Sequence, residues 1–358
     1  LKLGIIGLGV GVTGHVPAAR IEGFDVVALS ARTEAKLTEA ADRLGVAGRY
    51  TNYEELLANP EIDAVAITSQ PEQHRDMVLK ALAAGKHVLL EKPLAITTDV
   101  GAELLAAARA NGKTVMIAHA FRHGPARAYV KSLLEQGYIG KLQGVSMTFF
   151  NGPKERPPAA GPRNHWRLGM DTGGGFSNGP MQTFFDSLID WFGPVKAISG
   201  RTIMAHAGAS QADGSAADAD ESVTASFEMA NGAWGSIAAS VVAPFGQGGR
   251  ITLLGTEGAL EIVQPILVAT DFETVSGGRF DDGPQIKPLA IPASFVVPAH
   301  DEDPKPPIYR AYRPLYRDFA AGVAAGSSPS PNFEDGFQLQ RISNALQESN
   351  RTGAWVNV

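Results

Sequence analysis

The sequence predicts an α/β protein in two parts: an N-terminal doubly wound parallel sheet, then an α/β part with a large open, mainly antiparallel sheet. Three observations carry this. Short branched apolar runs alternate with helix-like segments at βαβ spacing up to about residue 122. A glycine-dense turn follows the first of those runs at once. After Pro125 the strand-like runs are joined by turns rather than by helices. The texture change divides the chain into 1–122 and 123–358, and 358 residues is long for one core.

In the first part, residues 3–6, 24–29, 64–68, 87–90 and 114–118 read as buried parallel strands, short and rich in valine or isoleucine. Between them, 72–84 places Met77, Val78, Ala81 and Leu82 on one helical face and stops at Gly85, while 103–110 ends at Asn111 and Gly112. In the second part a helix runs from Pro125 to Gln136, followed by strands at 142–150, 195–205, 223–229, 235–242, 251–254 and 259–262. Asn231-Gly232 is a hairpin signal and 255–258 a second turn. The polar or small-residue segments 152–163 and 207–220 read as exposed loops, and helical patterns return at 308–325 and 337–347.

Composition narrows the partners. The chain is 44% hydrophobic and 19% charged, an ordinary soluble balance, and a net charge of −6 without a basic stripe argues against nucleic acid. No apolar run approaches the ~20 residues of a membrane span. A strand at the very start leaves no room for a signal peptide, although a start at Leu1 leaves a trimmed or removed leader open. With no cysteine, disulfides, thiolate zinc sites and cysteine nucleophiles are all excluded, which fits a cytoplasmic protein; no metal site is read.

The opening turn carries the first functional expectation. Gly7, Gly9, Val10, Gly11 and Val12 follow a strand and precede a helix expected to begin near Thr13, the order in which backbone N–H groups close on a dinucleotide's diphosphate. Counted from Gly7, the pattern G-x-G-x-x-G puts Val12 where the third glycine belongs, flanked by Gly11 and Gly14. The plainer reading is a structural glycine turn. At the end of the second strand, Ala31 stands about twenty residues past the glycines, where an acid would hold an NAD ribose. Ser30 and Arg32 beside it suit a 2′-phosphate, so the reading leans to NADP over NAD. An adenine-stacking or solvated Arg32 is the alternative.

Glu91-Lys92-Pro93 follows the strand 87–90, whose end faces the ligand crevice in such a sheet. A lysine there can exchange a proton with a hydroxyl or carbonyl beside a hydride-transfer centre. The bland alternative is an exposed lysine paired with Glu91.

Five stretches, GIIGLG at 4–9 with His15, AITSQPEQH at 66–74, AGKHVLLEKPLA at 84–95, GYIGKLQGV at 137–145 and DTGGGFSNGPMQTFFDSLIDWFG at 171–193, give the chain a likeness that runs nearly end to end. It resembles the Gfo/Idh/MocA family of nicotinamide-dependent oxidoreductases. The resemblance implies a Rossmann domain, a C-terminal α/β domain whose open sheet mediates contacts in a homodimer or homotetramer, and a substrate pocket between them for a sugar, polyol or sugar acid. It places Pro71 and His74 beside the nicotinamide ribose, Glu91 and Lys92 at the cofactor, and Arg122, Trp166, Arg167 and Gln182 on the substrate side. His74 is otherwise a surface residue at a helix N-terminus.

One departure stands out. The family pattern aspartate-x-glycine-x-histidine-x-x-aspartate falls here on Gly179, Thr183 and Asp186, so the proton-transfer histidine is absent and only the last aspartate remains. A threonine hydroxyl titrates too far from neutrality to serve as a base unaided. Lys92 then works alone, or with His165 or His123, for each of which an ordinary structural role is the competing reading. The missing histidine also leaves open a regulator that binds a dinucleotide without turnover, since His15-Val16-Pro17-Ala18 and 137–144 have some likeness to a galactose-pathway repressor branch. Tyr309, Tyr312 and Tyr316, at helical spacing, read as core packing.

Overall fold

Parallel pairing organises the first sheet. β1 (Lys2–Ile6), β2 (Asp25–Ser30), β3 (Gly48–Tyr50), β4 (Ala64–Ile67), β5 (His87–Leu90) and β6 (Val115–Ile117) lie in the order β3-β2-β1-β4-β5-β6. Every pairing is parallel. The computed structural model describes residues 1–152, 165–204, 216–265, 272–303 and 307–358, without the side chains of 165, 166, 307 and 308. β4 is buried at all its positions, which is why it reads as an unbroken apolar run. β3 escapes sequence reading because none of Gly48, Arg49 and Tyr50 is fully buried.

Between these strands run α1 (Val16–Ile21), α2 (Glu34–Leu44), α3 (Tyr53–Ala58), α4 (His74–Ala83) and α5 (Thr98–Asn111). α4 buries Met77, Val78, Ala81 and Leu82, the expected face. α5 begins earlier than its periodicity suggests because the Thr97 hydroxyl accepts the Val100 N–H at 3.4 Å. It ends on Gly112 in the left-handed region.

The second sheet is mixed. α6 (Pro125–Glu135) precedes β7 (Leu142–Phe150), and α7 (Pro180–Phe192) leads into β8 (Val195–Ile203), β9 (Ser222–Met229), β10 (Trp234–Ser240), β11 (Gly248–Gly255), β12 (Gly258–Gln264), β13 (Thr274–Arg279) and β14 (Lys287–Leu289). After α8 (Tyr312–Ala325) and α9 (Phe333–Thr352), β15 (Val356–Asn357) completes the order β14-β13-β12-β11-β7-β10-β9-β8-β15. Only the β7–β10 pairing is parallel among the described strands of this sheet. Met147, Phe149, Phe227, Ile237 and Leu253 of the sheet pack with Phe184, Phe185 and Leu188 of α7 and Leu339, Ile342 and Leu346 of α9. The two expected turns fall at Asn231-Gly232, where Gly232 has φ 89°, and between β11 and β12.

Several expectations change. α7 is a helix that the motif at 171–193 concealed, although Met181, Phe184, Phe185 and Leu188 already have helical spacing. The helix expected at 308–325 opens as a 3₁₀ turn, Pro307–Ala311, before α8, and the one expected at 337–347 extends over all of α9. The loops expected at 152–163 and 207–220 lie outside the described residues at 153–163 and 207–215. At its end the second is no exposed loop, because Ala217, Ala219 and Asp220 are buried.

By Cα proximity, Leu1–Ala120 groups with Val297–Phe337, and Phe121–Val296 with Gln338–Val358. Val297–Phe337 returns to the first unit for an apolar reason. Tyr316 and Phe319 of α8 pack on Phe24 at 5.2 and 6.0 Å between ring centroids, each such burial contributing roughly 1.5–3 kcal/mol. Arg313 ties the same segment down through Glu22, Asp303 and the Pro298 carbonyl. Among the described residues no helix is long and apolar enough to cross a membrane.

Candidate active site

The glycine turn sits at the carboxyl end of β1, beside the point where the strand order reverses. Gly7 has φ 109°, and a Cβ on it would lie 2.7 Å from Thr68 Oγ1 and 2.8 Å from the Thr68 carbonyl oxygen. Its N–H donates to the Ser30 carbonyl at 2.9 Å, and Thr68 Oγ1 donates to the Gly7 carbonyl at 3.1 Å. Gly11 performs the close packing expected of a third glycine: its Cβ would meet Thr68 Oγ1 at 2.6 Å and Ile5 Cγ2 at 2.9 Å. Val12, at the nominal third position, is simply buried. A Cβ on Gly9 would meet no protein atom within 4 Å, so a ligand can approach the backbone there.

The helix after this turn differs from the expected start near Thr13. Gly11–His15 is a π-helical turn, continued by α1. The leading amides of such a segment carry its positive end, Val12 N–H being bonded to the Gly9 carbonyl at 3.3 Å. Open space over Gly9 next to these amides fits a dinucleotide diphosphate. Gly7→Ala adds a clash to a left-handed φ, for which we expect a loss of about 1–3 kcal/mol of stability together with weakened coenzyme binding. Urea unfolding and coenzyme titration read the two effects.

Ser30 is buried, Ala31 donates its N–H to the Tyr50 carbonyl at 3.1 Å, and Arg32 is exposed beyond the end of β2. Lys92, partly buried, follows β5, whose Leu90 and Glu91 are bonded to the neighbouring strand ends: Ala118 N–H to Leu90 O at 2.7 Å and Glu91 N–H to Ile67 O at 2.8 Å.

Glu91 turns inward. Its Oε1 accepts the Tyr312 hydroxyl at 2.5 Å and lies 2.9 Å from His15 Nε2, while Oε2 accepts the Lys92 N–H at 3.2 Å. His15 Nδ1 lies 2.8 Å from the Tyr316 hydroxyl. Burial pushes the Glu91 carboxyl up, yet the His15 and Tyr312 hydrogen bonds and the Lys92 charge together hold it below its ordinary value. Glu91, expected at the cofactor, has both of its carboxyl oxygens engaged by protein donors.

His74 is not a surface residue. It is fully buried, with Nδ1 2.9 Å from the Pro93 carbonyl and Nε2 3.3 Å from the Ser69 carbonyl. Burial lowers its pKa, and the ring holds together the loops after β4 and β5. Pro71, also buried, opens the 3₁₀ turn that leads into α4.

In the second unit two of the four expected substrate-side residues, Arg122 and Gln182, are buried. Arg122 is buried and clasps Asp186 through Nε at 3.1 Å and through Nη2, with Asp190 3.4 Å away. Its fork is already paired with carboxylate. Burial raises the Asp186 carboxyl against the pull of Arg122. Asp186 is thus held as the ion-pair partner of Arg122. Thr183 is buried and its carbonyl accepts from Arg127 Nη1 at 3.0 Å. Gln182 is buried and donates to Ser343 Oγ at 3.1 Å.

Burial, reinforced by the Arg122 charge, pulls the His123 imidazole down to about 4. Arg167 is exposed in the 3₁₀ turn His165–Leu168, and the side chains of His165 and Trp166 lie outside the described residues. The glycine block exists for close approach: Cβ atoms on Gly174 and Gly175 would fall 2.5 Å from the Arg167 carbonyl and from Asp220 Oδ1. Asp220 anchors the block by accepting Ser177 N–H at 3.0 Å and Ser177 Oγ at 2.8 Å.

A six-stranded parallel sheet with a ligand-ready glycine turn at its reversal point, followed by a mixed sheet, defines a dinucleotide-binding protein with a second α/β unit. Family models agree: the oxidoreductase family with NAD-binding Rossmann fold matches residues 1–119, and the GFO/IDH/MocA C-terminal domain matches 128–261. The chain belongs to the Gfo/Idh/MocA oxidoreductase family. An uncharacterized oxidoreductase of Synechocystis sp. is 29% identical, covering 100% of this chain and 96% of that protein. Levoglucosan dehydrogenase of Pseudarthrobacter phenanthrenivorans is 28% identical over 89% of this chain and 86% of its own. The solved structure of a levoglucosan dehydrogenase in complex with NADH and L-sorbose shares the fold, with a TM-score of 0.88 at 22% identity over 100% of this chain and 98% of that one. The protein is an oxidoreductase with an NAD-binding fold, and the family match favours an enzyme over the regulator.

Proposed function

We propose that the chain moves a hydride between a carbinol or carbonyl carbon of a sugar or polyol and a nicotinamide coenzyme, with Lys92 handling the proton. The observation that carries this is the open approach over Gly9 at the end of β1, in the same sheet and at the same strand ends as Lys92. The bound coenzyme supplies the hydride donor or acceptor. The chain's own part is to grip the diphosphate with the Gly7–Val12 turn and to hold the amine of Lys92 where a substrate hydroxyl loses its proton. Arg167, exposed, is the cation we assign to the substrate side. The sugar class rests on the levoglucosan dehydrogenase likeness.

For the coenzyme we assign NADP, because Ala31 leaves the second strand end without the acid that repels a 2′-phosphate and Arg32 is exposed beside it. NAD is the second reading, favoured by the NADH held in the structure of similar fold. Polar side chains on the open face of the second sheet, among them Ser146, Thr148, Thr224 and Ser226, support its assignment to a homodimer or homotetramer contact.

Steady-state assays over a panel of sugars and polyols with both coenzymes test these assignments. The expected result is turnover with kcat/KM higher for NADP, and loss of about tenfold or more of that preference in Ala31→Asp through like-charge repulsion. Higher kcat/KM with NAD in the unaltered enzyme contradicts the role of Arg32. Silence across the panel contradicts the substrate class.

A further inference from the structure

The buried cluster behind Lys92 does more than fill the core. We propose that Glu91, held by His15 and Tyr312, is a positioning residue for Lys92: it fixes the strand end that carries the lysine and sets a constant negative charge behind its amine. This rests on the reading of Lys92 as the proton-handling group.

The geometry joins three distant stretches of one unit. His15 ends the π-helical turn that begins at Gly11, Glu91 follows β5, and Tyr312 and Tyr316 lie one turn apart on α8. A buried carboxylate costs several kcal/mol unless donors surround it. Glu91 has three: the Tyr312 hydroxyl, His15 Nε2 and the Lys92 N–H. His15 Nε2 faces the carboxylate and Nδ1 the Tyr316 hydroxyl, so both ring nitrogens are engaged inside the cluster. The ring is further held between Tyr312 at 4.6 Å and Tyr316 at 5.7 Å.

The arrangement connects two jobs. His15 is rigidly continuous with the turn assigned to the diphosphate, and Glu91 is bonded to the backbone of Lys92, so one cluster sets the coenzyme grip and the lysine together. A glutamate serving only as a coenzyme ligand would keep its oxygens for the ligand, whereas Oε1 here is spent on Tyr312 and His15 and Oε2 on the Lys92 N–H. The titratable groups facing Glu91 are His15 after β1, His74 on α4, Tyr312 and Tyr316 on α8, and Lys92 itself.

The sign of the expected effect follows. A neighbouring carboxylate favours the ammonium form of Lys92, while alcohol oxidation needs the neutral amine to accept the proton. Glu91→Gln therefore moves the rising limb of the kcat–pH profile to lower pH. It also lowers the plateau kcat by about tenfold or more, with the KM for coenzyme changed by less than about threefold. Tyr312→Phe keeps the charge but loosens its support, so kcat falls with the limb in place.

The experiment measures kcat and KM against pH for the unaltered enzyme, Glu91→Gln, Tyr312→Phe and Lys92→Ala in parallel. If Lys92→Ala is crippled while Glu91→Gln keeps the original kcat and limb, the positioning role is wrong and the lysine assignment stands. Unaltered turnover in Lys92→Ala removes the lysine assignment first, and this proposal with it. Should Glu91→Gln not fold, Tyr312→Phe decides, because an unchanged kcat there overturns the proposal.

Discussion

Lys92→Ala lowers kcat by about 10²–10⁴ while the coenzyme Kd changes by less than about threefold. The asymmetry follows from where the residue stands. Diphosphate binding is assigned to backbone around Gly9, whereas the proton leaving a substrate hydroxyl has no histidine to accept it at position 183, where a threonine replaces the family's histidine. Proton transfer is the step that the substitution removes. Pre-steady-state hydride transfer, followed by the reduced nicotinamide absorbance, reads it directly, and coenzyme titration supplies the control. Equal losses in kcat and coenzyme affinity would instead make Lys92 a binding residue.

Arg127→Ala is expected to destabilise the chain by about 3–5 kcal/mol. Arg127 is completely buried on α6, and its guanidinium donates to Glu273 Oε1 at 3.1 and 3.2 Å, to Thr183 O at 3.0 Å and to Ser187 Oγ at 2.8 Å. Removing it strands the Glu273 carboxylate, whose side chain is equally inaccessible. The cost comes mainly from that uncompensated charge, so Arg127→Met combined with Glu273→Leu should regain most of the loss. Urea unfolding measures both variants. A single substitution costing less than about 1 kcal/mol would show that water reaches the pair and screens it.

The fold was legible where burial and periodicity coincide. β4 and β5 are nearly all buried, so their apolar runs speak for themselves, and the buried face of α4 follows from Met77, Val78, Ala81 and Leu82. β3 and β14 were silent because they are short edge strands with no fully buried residue. The return of α8 to the first unit is a long-range event that no local pattern encodes. Tyr312 and Tyr316 were readable as buried, but not as partners of Glu91 and His15, which stand more than two hundred residues away.

The site was legible through backbone need more than through side-chain chemistry. Gly7 and Gly11 could be picked out because turn geometry and strand contact exclude any side chain there. Arg122 and Asp186 each looked like a catalytic or substrate group on its own. Their mutual pairing, 64 positions apart in sequence, is what spends both charges. Asp220, Arg127 and Glu273 were missed for the same reason, since a charged residue announces a buried role only once its partner is known.

The most direct test is a crystal structure grown with NADP or NAD. The account predicts the diphosphate within hydrogen-bond distance of backbone N–H groups between Gly9 and Val12, with the nicotinamide ring directed to the amine of Lys92. A diphosphate seated elsewhere, or a ring turned away from that amine, would contradict it.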